Sequence, residues 1–276
     1  MLAAALITFR EGLEAALIVG IVLGYLKKAG HIDRQRSVWW GVVVAVAASL
    51  TAALGLQALG ARFEGRAEAI FEGVTMLLAA AVLTWMVFWM QTQGRRIKGQ
   101  LEQEVRQAIA TEQSWALFSL AFLAVVREGI ETALFLSAAV FASSPVQTLV
   151  GGLVGLAAAV VVGWLLFAAS ARLDVRRFFQ VTGVLLIVFA AGLVAHGVHE
   201  FQEAGLLPVF IEHVWDLNPI LNEDGTIGSI LKSLFGYNGN PSLIEVLSYI
   251  GYYVAVGLAM WRRKPAAEAV RIGQGL

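Results

Sequence analysis

Seven stretches of predominantly apolar residues constrain this chain most, because about 20 such residues form a helix long enough to cross a membrane. They occupy residues 2–26, 38–59, 67–90, 115–141, 146–169, 178–198 and 243–261. Hydrophobic residues make up 58% of the chain and charged residues 14%, against about 45–50% and about 25% in soluble domains. The sequence therefore predicts an all-α integral membrane protein with seven transmembrane helices.

Lysine and arginine are distributed unevenly among the connecting segments. Fifteen lie in one alternating set that includes the tail, and three lie in the opposite set. The fifteen are Lys27, Lys28, Arg34, Arg36, Arg95, Arg96, Lys98, Arg106, Arg172, Arg176, Arg177, Arg262, Arg263, Lys264 and Arg271. Because positive loops stay in the cytoplasm, we expect the N-terminus outside and the basic tail, 262–276, inside.

The first and fourth stretches share a motif: Arg-Glu-Gly-Leu-Glu at 10–14 recurs as Arg-Glu-Gly-Ile-Glu at 127–131. If each repeat contains three helices, the second copy crosses the membrane in the opposite sense, which predicts two inverted three-helix repeats plus a seventh helix. The predicted organisation is a single permease domain, 1–261. It comprises repeat one (1–90), repeat two (115–198), an external loop (199–242) and helix seven (243–261).

Two sets of small residues predict where helices approach closely. In the second and fifth stretches they recur every fourth position, an arrangement that favours packing. They are Gly41, Ala45, Ser49 and Ala53, and Gly151, Gly155, Ala159 and Gly163. We expect Gly12 and Gly129 to let the first and fourth helices cross closely. By contrast, the mixed charge of residues 91–113 predicts a solvated connector.

Each motif places one arginine and two glutamates inside an apolar helix, where each charge costs about 2.5–3.5 kcal/mol at the bilayer centre. These groups must therefore pair or face a cavity. If the two motifs meet, their formal charge is −2, which favours a bound cation, and carboxylates suit hard metal ions. The predicted metal ligands are Glu11, Glu14, Glu128 and Glu131, with Arg10 and Arg127 as charge-pairing support. Salt bridges that only fix helix register are the alternative.

A second candidate site lies at the outer end of the sixth stretch. His196, His199, Glu200 and Glu203 fall on one helical face, where a metal ion could be received. An ordinary solvated helix end would have the same composition. Glu72 is the deepest of three acidic residues that enter the third stretch from the same side, and we add it to the candidates. Met86 could line an exit, but core packing is favoured.

The long external loop is acidic and could concentrate cations, as a lid or a binding segment. Glu223 and Asp224 lie in it, but they are also common turn residues.

Other features exclude several classes of protein. The chain has no cysteine, which rules out disulfides and thiolate metal sites. The formal net charge is zero, so no basic excess indicates nucleic acid as a partner. A glycine-rich phosphate-binding loop is also absent, so we do not expect direct ATP coupling.

The doubled motif resembles the oxidase-dependent iron transporter family, which comprises the fungal high-affinity iron permeases and the bacterial EfeU-type permeases. The resemblance extends to Trp85-Met86, His199-Glu200, Val214-Trp215-Asp216 and Gly236-Tyr237, and the compact size is similar to that of the bacterial branch. It implies seven helices and import of iron ions through the bacterial plasma (inner) membrane, with the motif glutamates carrying the metal. It also implies extracytoplasmic partner proteins that oxidise or deliver iron. The fungal Asp-Ala-Ser-Glu motif is absent, so the delivery route and the oxidation state stay open.

The leading hypothesis is an iron permease, not an enzyme, in which both motifs form one intramembrane site that works by alternating access among membrane lipids. We expect no cofactor, with iron as the transported substrate. An intramembrane carboxylate metalloenzyme is one alternative, although residues 199–203 lack the second histidine of His-Glu-x-x-His. A transporter of another divalent cation is a second. An anion exporter that uses Arg10 and Arg127 is a third.

Overall fold

A computed structural model describes residues 1–93, 97–110, 114–168, 175–223 and 225–262. Throughout these ranges the regular structure is helical, with nine α-helices. In chain order they are α1 (Leu2–Lys28), α2 (Gln35–Gly60), α3 (Arg66–Gln93), α4 (Ile97–Ala110), α5 (Ser114–Phe141), α6 (Pro145–Ala168), α7 (Val175–Glu203), α8 (Thr226–Phe235) and α9 (Leu243–Arg262). The seven longer helices coincide with the seven apolar stretches to within a few residues.

In the described part of the chain, five helices are long and apolar enough to cross a membrane: α2, α3, α6, α7 and α9. The predicted class of integral membrane protein is consistent with this finding. Helices α1 and α5 contain 27 and 28 residues, but each carries the three ionisable residues of its motif. The number of spans, the repeats and the orientation stay predictions. Of the basic residues behind the orientation, Arg95, Arg96, Arg172 and those of the tail 263–276 lie outside the described residues.

The long helices pack in three main pairs, α1 with α6, α2 with α5, and α3 with α7, while α1 and α5 also contact each other. Small residues make these approaches possible. A Cβ on Gly41 would lie 2.5 Å from the Phe118 carbonyl oxygen of α5. On α6, a Cβ on Gly155 would collide with the carbonyl oxygen of Ala5 in α1. The predicted packing role of the small residues is confirmed at these positions.

The predicted role of the two motif glycines is wrong, because neither marks the crossing of α1 with α5. A Cβ on Gly12 would lie 2.9 Å from the Cβ of Ala159, which belongs to α6. The corresponding atom on Gly129 would collide with the side chain of Ser49 on α2. Each motif helix therefore uses its glycine to approach the second helix of the other predicted repeat.

Helix α4 corrects the expectation that residues 91–113 are only a solvated connector. Val105 is fully buried and Ala108 is 5% exposed. Both pack in a hydrophobic cluster with Leu26 of α1 and Leu117 of α5. Helix α4 therefore covers one end of the pair formed by α1 and α5.

Helix α8 shows that the predicted external loop, 199–242, is partly folded into the bundle. It ends at Phe235 and is capped by Gly236, whose φ of 65° is left-handed and favours glycine. This residue lies directly against Gly192 in α7, and Leu234 packs against the main hydrophobic cluster. Gly192 lies eleven residues before the end of α7, or about 16 Å along the helix axis. Part of the segment between α7 and α9 therefore lies alongside α7, about three turns inside its C-terminal end.

Candidate metal centre

The first motif is buried in α1. Arg10 and Glu11 are each 1% exposed, and Glu14 is 8% exposed. The guanidinium binds both carboxylates: Nη1 lies 2.8 Å from Glu11 Oε1, and Nη2 lies 2.8 Å from Glu14 Oε1. The contact with Glu11 is also a hydrogen bond, whereas the contact with Glu14 is an ion pair without hydrogen-bond geometry. A planar guanidinium can serve two carboxylates at once, because it presents several nitrogens.

Met86 of α3 lies next to this ion-paired group. Its Sδ accepts a hydrogen bond from Arg10 Nη1 at 3.0 Å, and its side chain is fully buried in the main hydrophobic cluster. The favoured prediction of core packing is confirmed. The residue also contacts the first motif, which the sequence did not indicate.

The second motif, in α5, is held differently. Glu128 and Glu131 are buried, but 37% of the Arg127 side chain is exposed. Among the described residues, Arg127 makes one ion pair, from Nε to Glu131 Oε1 at 2.9 Å. Its guanidinium carbon lies 4.7 Å from the ring centre of Trp89 and 5.9 Å from that of Trp85. The two arginines therefore have different environments, although the motifs are nearly identical in sequence.

Three of the four motif glutamates form one compact group. Each of Glu11, Glu128 and Glu131 offers a carboxylate oxygen, and these oxygens lie within 4.8 Å of one another. Across the described ranges, this is the one group of three or more possible metal-ligating side chains at such spacing. Glu14 lies outside it and pairs with Arg10.

The geometry of this glutamate triad, Glu11, Glu128 and Glu131, suits a cation. The Oε2 atom of each member is buried and has no hydrogen-bond partner among the described residues. Buried polar atoms are normally satisfied, so three such oxygens in one place require an explanation. Carboxylate oxygens bind metal ions at ~2.0–2.2 Å. Oxygens on opposite sides of one ion are then ~4.2 Å apart, and the separations in the triad, all within 4.8 Å, are of this order.

The four residues of the second candidate site lie on α7, as predicted. His199 interacts with two carboxylates: Nε2 lies 3.2 Å from Glu203 Oε1, and Nδ1 lies 3.0 Å from Glu245 Oε1. His196 Nδ1 lies 3.0 Å from the Gly192 carbonyl oxygen. Glu200 is half-buried, and Glu72 on α3 is near enough for its carboxylate to repel that of Glu200. The structure thus places Glu72 beside this group, although the group is less compact than the triad.

Glu245 was missed by the sequence analysis. It is 3% exposed at the start of α9. Ser242 N donates to its Oε1 at 3.2 Å, and its own backbone N–H donates to Ser242 Oγ at 3.3 Å. This reciprocal pair is a capping box. Its signature, Ser-x-x-Glu before an apolar run, was present at residues 242–245.

A polar cavity of about 330 Å³ lies beside the second candidate site. Its lining includes His196, His199, Glu203, Glu212, His213, Glu223, Lys232 and Glu245. Within it, Lys232 Nζ lies 3.5 Å from Glu223 Oε1, so Glu223 pairs with an internal cation. Asp224 lies outside the described residues.

A helical membrane protein with a buried carboxylate triad has the features of a cation transporter. The chain belongs to the iron permease FTR1 family, whose model matches residues 1–263. The predicted family is therefore confirmed, and with it a transporter of iron rather than an enzyme.

Relatives of known name match most of the chain. A ferrous iron permease EfeU from Escherichia coli O6:K15:H31 is 38% identical over 251 residues, which cover 90% of this chain and 91% of the relative. A ferrous iron permease EfeU from Yersinia pestis is 36% identical and covers 90% and 89%. No solved structure matches the chain. The similarity to these permeases, together with the apolar helices, identifies a multi-pass protein of the bacterial inner membrane.

Proposed function

We propose that this chain imports ferrous iron through the inner membrane and that the glutamate triad is its intramembrane binding site. One observation carries the proposal: both motifs contribute to a single buried group of carboxylates with unpartnered oxygens. The four glutamates and two arginines have a formal charge of −2, which a divalent cation would neutralise. Ferrous iron is the cargo because the relatives are named ferrous iron permeases.

The proposal includes seven transmembrane helices arranged as two inverted repeats, and equivalent contacts support the repeats. Motif positions correspond with an offset of 117 residues, and the small residues of α2 and α6 with an offset of 110. The contact of Gly12 with Ala159 then corresponds to that of Gly129 with Ser49. Likewise, Gly151 lies against the carbonyl oxygen of Met1, and Gly41 lies against that of Phe118. These two contacts correspond by the same offsets. Packing that repeats in this way is what a two-fold relationship between the halves would produce.

Alternating access is the proposed mechanism. The triad is buried, so an ion held there is separated from both aqueous sides. Helix α4 covers the ends of α1 and α5 on the predicted cytoplasmic side. On the predicted outer side, α8 packs against α7 and α1. Movement of one helix at a time would open the triad to one side of the membrane.

The proposed outer station is the group where iron first binds. It consists of His196, His199, Glu200, Glu203 and Glu72. The polar cavity beside them and the excess of acidic over basic lining residues support this role. We also propose that a separate extracytoplasmic protein delivers iron to this side, because the family resemblance implies such partners.

Uptake of radioactive iron into liposomes that contain only this chain tests the proposal. We expect ferrous iron, kept reduced under anaerobic conditions, to accumulate. Glu131→Gln should abolish most uptake, whereas Glu64→Gln, which changes an exposed glutamate, serves as the matched control and should transport normally. Absence of ferrous uptake would contradict the proposal, and preferential uptake of manganese or zinc would favour a transporter of another divalent cation.

A further inference from the structure

Glu245 connects α9 to the outer station through hydrogen bonds that occupy both of its carboxylate oxygens. Oε1 accepts from Ser242 N and lies 3.0 Å from His199 Nδ1, while Oε2 accepts from Asn238 Nδ2 at 2.8 Å. Because Glu245 is 3% exposed, these protein groups take the place of water around its charge.

The donors around Glu245 determine which nitrogen of His199 carries hydrogen. A backbone N–H and a side-chain amide NH₂ can only donate, and an ionised carboxylate can only accept. Glu245 therefore acts as an acceptor toward each neighbour, so Nδ1 of His199 is the donor. Glu203 Oε1, which lies 3.2 Å from Nε2, is also an acceptor, but its side chain is 61% exposed and can be hydrated. Glu245 is buried and depends on the ring for one of its hydrogen bonds. The neutral ring therefore keeps its hydrogen on Nδ1 and its lone pair on Nε2.

His196 is held in the same way. Its Nδ1 lies 3.0 Å from the Gly192 carbonyl oxygen, which can only accept a hydrogen bond. Both histidines therefore present Nε2 as the nitrogen that can bind metal, and both line the same cavity as Glu203. Imidazole nitrogen together with carboxylate oxygen is a suitable ligand set for ferrous iron.

We propose that Glu245 is a positioning residue that fixes the Nδ1–H form of His199 and directs its Nε2, together with Glu203, toward ferrous iron in the cavity. Metal-binding histidines commonly donate their other ring N–H to a carboxylate, which fixes the ring orientation and raises the basicity of the ligand. The inference rests on the proposed function, because it assigns to the outer station an iron ion on its way to the triad.

A purely structural role for Glu245, as the cap of α9, makes different predictions. Ser242→Ala removes the Ser242 hydroxyl from the capping box but leaves the contact between Glu245 and His199, so it is the matched control. Glu245→Gln retains an oxygen that can accept from Nδ1, whereas Glu245→Leu removes the acceptor.

The first measurement is a nitrogen-15 histidine spectrum of the purified protein, recorded at a pH where the imidazoles are neutral. The chain has four histidines, so loss of one signal in His199→Gln identifies His199. We expect the Nδ1–H form in the unmodified protein, in Ser242→Ala and in Glu245→Gln, and a shift toward the Nε2–H form in Glu245→Leu. An Nε2–H form in the unmodified protein would overturn the proposal, even if Glu245→Leu failed to fold.

The second measurement is anaerobic calorimetry of Fe²⁺ binding in a chain that also carries Glu128→Gln and Glu131→Gln, which removes most of the triad. In this background, Glu245→Leu should weaken binding about 10–100-fold. Glu245→Gln, which keeps one acceptor but loses the charge, should weaken it less, and Ser242→Ala should stay close to the parent. Equal affinity in all three, or no binding by the parent, would overturn the inference. Iron uptake by the unmodified chain tests the proposed function separately.

Discussion

Glu11 of α1 and Glu128 of α5 occupy the same position in the two motifs, 117 residues apart in sequence, and offer carboxylate oxygens within 4.8 Å of each other. Both residues are buried. The two residues belong to the first helix of each predicted repeat, so residues distant in sequence meet here. The candidate site therefore takes side chains from both motifs.

The different environments of the two arginines predict unequal effects of substitution. Arg10→Lys replaces a buried guanidinium that binds two carboxylates, and an ammonium cannot reproduce the forked contact. Arg127→Lys affects a partly exposed side chain with one ion pair. We expect iron uptake to fall far more in Arg10→Lys, measured per amount of folded protein. Equal losses would show that the motifs are equivalent in function despite this asymmetry.

Removing the charge of Arg10 should also destabilise the protein. Arg10→Leu leaves Glu11 and Glu14 without their cation in a buried environment, and breaking a buried ion pair costs about 3–5 kcal/mol. We expect a lower midpoint of thermal unfolding in detergent. Arg62→Leu, in an exposed position, is the control and should unfold at the temperature of the unmodified protein. An unchanged midpoint for Arg10→Leu would contradict the ion-pair geometry.

The contact between Gly129 and Ser49 can be tested by compensation. Gly129→Ala should reduce the yield of folded protein, because the new methyl group collides with the Ser49 side chain. Gly129→Ala combined with Ser49→Gly should recover much of this loss. Gly24→Ala is the control, since a Cβ there meets no atom within 4 Å. Failure of the second substitution to rescue the first would mean that α5 and α2 do not approach at this point.

Much of the fold could be predicted because the relevant signals are local. Apolar stretches indicated the long helices, and the repeated motif indicated where charge is buried. The positions of α4 and α8 could not be predicted in this way. Val105 is buried and Leu234 is partly buried, in both cases against helices distant in sequence. The composition of their own segments does not identify those partners.

For the candidate site, the sequence indicated which residues to consider but not how they are arranged in space. The motif spacing identified the four glutamates, but it could not separate Glu14, which pairs with Arg10, from the triad. That distinction depends on the rotation of α1 relative to α5. Glu245 had a local signal, the capping box, but its contact with His199 of α7 is a tertiary relationship.

The proposed orientation predicts which loops react with a membrane-impermeant thiol reagent. The chain has no cysteine, so single cysteines can be introduced without background. Ser144→Cys, exposed between α5 and α6, should be labelled in intact cells. Asp33→Cys, exposed between α1 and α2, should be labelled only after permeabilisation. Labelling of Asp33→Cys in intact cells would reverse the orientation and the direction assigned to import.

The central claim is that both motifs form one iron site, and the most direct test is ferrous uptake by Glu11→Gln, Glu128→Gln and the double variant. Glutamine keeps the side-chain shape and removes the charge. With a shared site, each single variant should lose most uptake, and the double variant should be hardly worse, because contacting residues are not additive. Rates would be measured in liposomes and normalised to reconstituted protein. About half the normal uptake in each single variant, and none in the double, would contradict the shared site and indicate two independent ones.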